Sequence, residues 1–443
     1  MKSPLKSGLF YASIFMKNLF DLFEQTSGVS IDTRKIELNC LFICLKGENF
    51  DGNQFAEDAL IKGAKYVISD NPIHANKENI FVVEDSLSFL QQLARHHRRK
   101  MRAKVIGITG SNGKTSSKEL INCVLSKGFD VLATEGNLNN HIGVPLTLLR
   151  LKQHHHIAII EMGANKFKDI EELCAIAEPN YGIITNIGKA HLEGFINFEG
   201  VLKTKTELYH AVSSVGGTIV YNADDEVLKN HLPQNVTLYA YGAAESASVQ
   251  GNLIGLNPYV QFSWKSGNYS SGTVSTHMIG TYNFYNFLAA ISFGKIFGLP
   301  EEIINSAIES YIPENNRSQV MKTANNTLIL DCYNANPTSM KSALESFALI
   351  DSPNKLFIIG DMLELGAESL HEHRIILELA EQLNLQGITV GPIFKSLNSP
   401  ILLNQFITTQ EAADFLNHEP QIGAMILLKG SRGIGLEKLG NSL

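Results

Sequence analysis

The sequence predicts an α/β protein of three domains, and three observations predict it. Short apolar runs alternate with helical patterns along most of the chain, the alternation breaks near residues 100 and 313, and a glycine loop follows the first strand after the first break. A small α/β domain is expected over 1–101, a central parallel-sheet domain over 102–313 and a Rossmann-like domain over 314–443. A length of 443 residues suits three domains at roughly 150 residues each.

In the first domain, apolar runs at 41–45, 66–68 and 80–83 read as strands between helices at 54–61 and 87–97. The basic stretch 95–104 reads as a solvated helix end and linker. Residues 105–109 form a β-rich run, and Leu120, Ile121, Val124 and Leu125 fall on one face of the helix that follows the glycine loop. Further strands at 157–162, 182–187 and 218–221 imply a doubly wound sheet whose ligands gather at the strands' carboxyl ends. Tyr259, Val260, Phe262 and Trp264, set among Gly and Ser, predict antiparallel strands over 249–277, and a helix at 284–297 closes the domain. Strands at 328–332, 356–359, 387–390 and 425–429 restart the βα alternation.

Composition excludes some functions. Hydrophobic residues make up 44 % and charged residues 18 %, the balance of a globular chain, and a net charge of −7 argues against a general nucleic-acid binder. Cys40, Cys44, Cys123, Cys174 and Cys332 are scattered and lie mostly in apolar runs, as buried thiols in a reducing compartment do. No apolar run approaches the roughly 18 residues of a membrane span. Residues 1–15 lack a cleavage site and read as an extension or a misassigned start ahead of Met16. Both points indicate cytoplasm and no membrane partner.

The run GITGSNGKTS at 107–116 sits after a strand and before a helix, as a phosphate loop requires. Gly110 and Gly113 let the backbone of Ser111, Asn112 and Ser116 turn toward phosphate oxygens. Lys114 would bridge the β- and γ-phosphates of ATP, and Thr115 would offer its hydroxyl to Mg²⁺. In the general GxxxxGK[ST] pattern the first glycine would fall at Ile108, so the match is to a shorter form. Glu161 ends the run IAIIE, where a carboxylate at a strand's carboxyl end can hold a metal.

The compact TGSNGKT loop, with GNLNNHIGVPLTLLR at 136–150, EMGAN at 161–165, ITNIGKAHLEGF at 184–195, DCYNANPTSM at 331–340, GDMLELGAES at 360–369 and LLKGSRG at 427–433, resembles the Mur ligase family. The resemblance spans about 400 residues and is closest to members that add D-alanyl-D-alanine to a UDP-N-acetylmuramoyl tripeptide. It implies a P-loop ATPase-type central domain, an acyl-phosphate intermediate, two Mg²⁺ ions and a monomer. Glu161 and His191 are then metal ligands, and Lys205 a carbamylated lysine orienting the second metal. Thr206 stands where glycine is usual, which leaves Lys203 as a competitor for that role. An unmodified ammonium beside two cations would be repelled.

Asn283 and Asn286, in GTYNFYN, match the family's adenine segment, an Asn amide being able to pair with adenine's N6 and N7. Tyr282 has two readings, stacking on the base or filling the core. Arg317 and Asp331 match positions near ATP phosphate and ribose; Lys429 and Arg432 match positions near the incoming substrates. Tyr333, Asn334, Asn336 and His373 match the dipeptide pocket, and Asn137 and Asn140 are expected at the substrate. Ser30, Thr33, Arg34 and Lys46 match uridine-binding loops of a UDP-binding first domain. Remaining rivals are a ligase for a single amino acid, a folylpolyglutamate synthase, a P-loop phosphotransferase or switch, and a UDP-sugar-binding module.

Overall fold

The computed structural model describes residues 19–189, 192–195, 197–256 and 258–443, so the stretch at 1–15 and the alternative start at Met16 lie outside the described residues. The chain divides into two compact units, one of 1–107, 130–162 and 172–179, the other of 108–129, 163–171 and 180–443.

In the first unit β1 (Val29–Ser30), β2 (Leu41–Ile43), β3 (Tyr66–Ser69) and β4 (Ile80–Val82) pair in that order, all parallel. Every residue of β2 is buried, as expected for a parallel strand covered on both faces. Helix α1 (Ser86–Lys100) starts where the Asp85 carboxylate accepts from the Ser88 amide, a side-chain cap worth about 1 kcal/mol. Its basic end is solvated as expected at Arg95, Arg99 and Lys100, and among its Arg and Lys residues only Arg98 departs from that reading. Arg95 and Arg99 both pair with Glu178, and Arg98 is buried and donates to the Ala177 carbonyl. Strand β5 (Lys104–Thr109) passes from the first unit into the second after Gly107. β6 (Val131–Ala133) and β7 (Ile157–Glu161) pair in parallel within the first unit.

The second unit holds helix α2 (Lys114–Leu125) and, in parallel succession, β8 (Tyr181–Ile184), β9 (Thr218–Asn222), β10 (Thr237–Gly242) and β11 (Val249–Leu256). Helix α3 (Phe198–Ser214) runs between β8 and β9 in sequence. β12 (Val260–Ser266) returns antiparallel to β11, and its buried Val260, Phe262 and Trp264 alternate with less buried neighbours. Helix α4 (Asn283–Ile296) is buried almost all round, packed on α2 and on β10 to β12. Phe262 stacks on Phe287 of α4 at 5.4 Å between ring centroids.

Beyond residue 316 a six-stranded sheet has the order β13 (Gln319–Lys322), β14 (Thr327–Leu330), β18 (Met425–Lys429), β15 (Lys355–Gly360), β16 (Gly387–Val390), β17 (Leu402–Phe406). Only β13 is antiparallel to its neighbour. Ile329, Phe357, Ile359 and Leu427 enter one core, whereas Leu328, Leu330, Leu356, Ile358, Ile426 and Leu428 enter another. Consecutive residues thus face opposite cores, as a sheet with helices on both faces demands. Helices α5 (Pro337–Leu349) and α6 (Ser369–Gln382) cover one face. No described helix is long and apolar enough to cross a membrane.

Phe262→Ala should cost about 3–5 kcal/mol by opening a cavity beneath α4. Equilibrium urea unfolding measures it, and a loss below about 1 kcal/mol would contradict this packing.

Candidate active site

β5 ends at Thr109, and residues 110–113 turn the chain into α2. Gly110 has φ +145°, and a Cβ there would fall 1.9 Å from Thr185 Oγ1; Gly113, at φ +76°, precedes the helix directly. Both positions need glycine for backbone reasons before any ligand is considered. The loop after β8 braces the turn. Ser111 Oγ donates to the Gly188 carbonyl at 3.1 Å and accepts from its N–H at 2.9 Å. The Asn112 N–H donates to Asn186 Oδ1 at 3.0 Å, and Thr185 Oγ1 donates to the Asn112 carbonyl at 2.5 Å. Lys114 Nζ folds back over the turn, donating to the carbonyls of Gly110 at 2.7 Å and Ser111 at 3.2 Å. A helix amino terminus, a glycine turn and an ammonium together make an anion cradle. A cleft of about 180 Å³ opens beside it, lined by residues that include Thr115, Ser116, Glu119, Tyr311 and Arg317.

Burial separates the two candidate lysines on α3. Lys203 is exposed, whereas Lys205 is 2 % exposed. Burial, and then the charge of Lys114, hold the Lys205 ammonium well below the ordinary lysine range, which favours the neutral amine. In the first unit Glu161 closes β7 at 2 % exposure and accepts from Asn139 Nδ2 at 2.8 Å. Its backbone N–H donates to Thr134 Oγ1 at 3.0 Å. The sequence pointed to Asn137 and Asn140 and not to Asn139 between them. Asn137 is exposed, and Asn140 Oδ1 accepts from the amides of Ile142 and Gly143, a local turn bond. His191 lies outside the described residues.

Two sets of residues expected at ligands have partners inside the protein. Asn283 Nδ2 donates to the Ile279 carbonyl at 2.7 Å and to Ser318 Oγ at 3.0 Å, and its Oδ1 accepts from Asn286 Nδ2 at 2.8 Å. Asn286 Oδ1 in turn accepts from Ser117 Oγ at 2.9 Å. Both amide protons of Asn283 and its Oδ1 thus have partners within the protein. The chain Ser117, Asn286, Asn283, Ser318 instead ties α2 to α4 and to the segment before β13. His373 is fully buried rather than pocket-lining. Its Nε2 accepts from the Met362 N–H at 2.9 Å, and Nδ1–H donates to the Ser369 carbonyl at 2.6 Å. Burial lowers its pKa and keeps the ring neutral.

Other residues named from sequence do meet. Lys429 Nζ lies 2.7 Å from Asp331 Oδ2, while Asp331 Oδ1 accepts from the Ser318 N–H at 3.2 Å. Tyr282 places its hydroxyl 3.1 Å from Ser318 Oγ and 3.5 Å from Asp331 Oδ2. The Arg317 guanidinium stacks 3.6 Å from the centre of the Tyr333 ring, with that of Arg432 at 5.4 Å. Asp331 and Tyr333 follow β14, while Lys429 ends β18 and Arg432 follows it; the two strands are neighbours, so their carboxyl ends deliver both loops to one place. Asn334 Oδ1 only accepts from the Ala335 N–H, and Asn336 caps α5.

In the first unit, Asp32 grips the Arg34 guanidinium with both oxygens and accepts from the Arg34 N–H, which brings its pKa to about 2. Arg34 is thereby presented with its side chain 86 % exposed. Ser30 Oγ donates to the Asp32 carbonyl at 3.1 Å, and Thr33 opens the short 3-10 turn Thr33–Lys35. Lys46 pairs with Asp70 at 2.8 Å on a separate two-strand hairpin.

Family models match along the chain: "Mur ligase family, catalytic domain" at 25–98, "Mur ligase middle domain" at 108–294, and "Mur ligase, glutamate ligase domain" at 316–432. A protein of Bacillus subtilis (strain 168) named UDP-N-acetylmuramoyl-tripeptide--D-alanyl-D-alanine ligase is 32 % identical over 432 residues, covering 94 % of this chain and 93 % of the relative. The chain belongs to the Mur ligase family. The Escherichia coli (strain K12) protein of the same name is also 32 % identical, over 94 % of this chain and 93 % of its own. Among solved structures, MurF from Acinetobacter baumannii superposes with a TM-score of 0.85 at 31 % identity, over 95 % of this chain and 97 % of that one. MurF ligase from Thermotoga maritima, in complex with ADP, gives 0.86 at 26 % identity with the same coverage. The three-domain α/β fold expected from the sequence is the fold of this family, and this Mur ligase is an ATP-dependent ligase.

Asn283→Ala should lower stability by about 1–3 kcal/mol, because it strands Ser318 Oγ and Asn286, while leaving the preference for ATP over GTP unchanged. Denaturant titration alongside nucleotide competition tests both, and a relaxed base preference would restore the adenine-reading role.

Proposed function

We propose that this Mur ligase joins D-alanyl-D-alanine to the free carboxylate of a UDP-N-acetylmuramoyl tripeptide, converting ATP to ADP and phosphate. The observation that carries the reading is the full-length likeness to ligases bearing that name, which runs through all three family domains. Labour divides along the expected boundaries, with the UDP substrate held by 1–101, ATP by 102–313 and the dipeptide by 314–443.

The tripeptide carboxylate oxygen attacks the γ-phosphorus, the bond to the β-phosphate oxygen breaks, and ADP leaves an acyl phosphate. The dipeptide amine then attacks the acyl carbon, phosphate departs, and the amine loses a proton to form the amide. Lys114, lying over the glycine turn, offsets charge on the phosphoryl group in flight, which passes through a loose transition state that needs positioning more than covalent help. Arg317 and Arg432, held against Tyr333, present planar cations to phosphate or carboxylate.

The residues suit Mg²⁺. Thr115 and Glu161 are buried hard-oxygen donors of the kind that Mg²⁺ takes alongside phosphate and water oxygens. Thr115, Glu161, His191 and a carbamylated Lys205 would hold two such ions, which when bound neutralise the transferring phosphoryl group. The neutral Lys205 amine can add to CO₂ with loss of one proton, giving an anionic carbamate where an ammonium would be repelled. The enzyme acts as a cytoplasmic monomer.

Phosphate release should require both the UDP-muramoyl tripeptide and D-alanyl-D-alanine; release with a single amino acid in place of the dipeptide would assign the chain to another ligase. Incubation with ¹³CO₂ should give a carbamate carbon signal in NMR that is absent from Lys205→Arg and present in Lys203→Arg. The reverse pattern would move the modification to Lys203.

A further inference from the structure

Three contacts join the helices that follow β14 and β15 to the loops of the phosphate site, and the chemistry above uses none of them. Lys189, next after Gly188, pairs with Glu372 of α6 at 2.7 Å, its side chain 53 % exposed and that of Glu372 only 5 %. The Lys189 N–H donates to Thr338 Oγ1 of α5 at 3.1 Å. Gly188 permits that approach, because a Cβ there would fall 2.8 Å from the Thr338 hydroxyl. Asn336 Nδ2 donates to Asn112 Oδ1 at 2.7 Å, while Asn336 Oδ1 accepts from the Ser339 N–H and caps α5. Asn112, at the crest of the phosphate loop, is therefore held by its backbone to Asn186 and by its side chain to the start of α5.

We propose that Lys189 and Glu372 form an electrostatic latch that ties α6 to the loop after β8, beside the point where Thr338 and Asn336 of α5 meet the phosphate-site loops, and that Asn336 positions Asn112 rather than touching the dipeptide. Lys189, Glu372 and Asn336 are thus positioning residues for the step in which the amine meets the acyl phosphate, which rests on the ligase reading above. Glu372 is nearly dry, so removing its cation leaves a buried carboxylate uncompensated, a change that favours parting of the two surfaces. The half-exposed ammonium makes the latch sensitive to salt.

The test uses the full-length chain with Lys189→Met, Glu372→Gln, the double variant and the exchanged pair Lys189→Glu with Glu372→Lys. Each single change should raise the KM for D-alanyl-D-alanine about tenfold and leave the KM for ATP within about twofold. The double variant should be no worse than either single, and the exchanged pair should recover most of the loss, as coupled residues require. Multiplying effects in the double variant, no recovery in the exchange, or equal changes in both KM values would overturn the latch. Hydrogen exchange without substrates supplies a second readout. Amides at 185–189 and 337–342 should exchange faster in both single variants and return in the exchanged pair, with Lys341→Met as a surface control; unchanged exchange would equally overturn the proposal. If the wild-type chain released no phosphate with the dipeptide, the ligase reading would fall while the exchange experiment would still decide the latch.

Discussion

The hold of the loop after β8 on the loop after β5 is the constraint on which the rest of this site depends. The Asn112 carbonyl accepts from Thr185 and Asn186, the Ser111 and Asn112 amides donate to Asn186, and the Ser111 hydroxyl bonds Gly188, so the bracing loop fixes the turn from both its donor and its acceptor side. Gly110 lets the two loops meet at backbone distance, since any side chain there would collide with Thr185. A preorganised turn needs no rearrangement when charge develops on a phosphoryl group.

From that turn, charge is distributed in a graded way. Lys114 lies on the loop carbonyls, and its field helps depress the buried Lys205. Farther out, Arg317 and Arg432 share one face-bearing ring, and Lys429 is matched by Asp331. These cations are thus kept apart by an aromatic ring, a carboxylate or burial, and this limits their mutual repulsion.

The asparagines show where reading a sequence stops being enough. Asn139, Asn283, Asn286 and Asn336 all sit in motifs visible in the chain, yet the side chains of Asn283, Asn286 and Asn336 are spent inside the protein, and Asn139 reaches Glu161 unannounced. An amide has both a donor and an acceptor face, so its residue type fits ligand reading and internal bracing equally well. His373 is a similar case, its two ring nitrogens meeting a backbone N–H and a carbonyl. Within the solvated basic end of α1, the burial of Arg98 was not legible because its partner, the Ala177 carbonyl, lies 79 positions away.

By itself the sequence determined the kinds and order of elements, the glycine turn that cradles an anion and the family to which the chain belongs. Those depend on periods of two and 3.6 residues, on backbone angles that glycine alone adopts readily, and on local motifs. Only the tertiary structure decided that Lys205 and not Lys203 is the dry lysine, that Asn336 faces Asn112 across 224 positions, and that Lys189 finds Glu372. Burial and hydrogen-bond partnership are properties of what surrounds a side chain, and those surroundings come from segments far away in the chain.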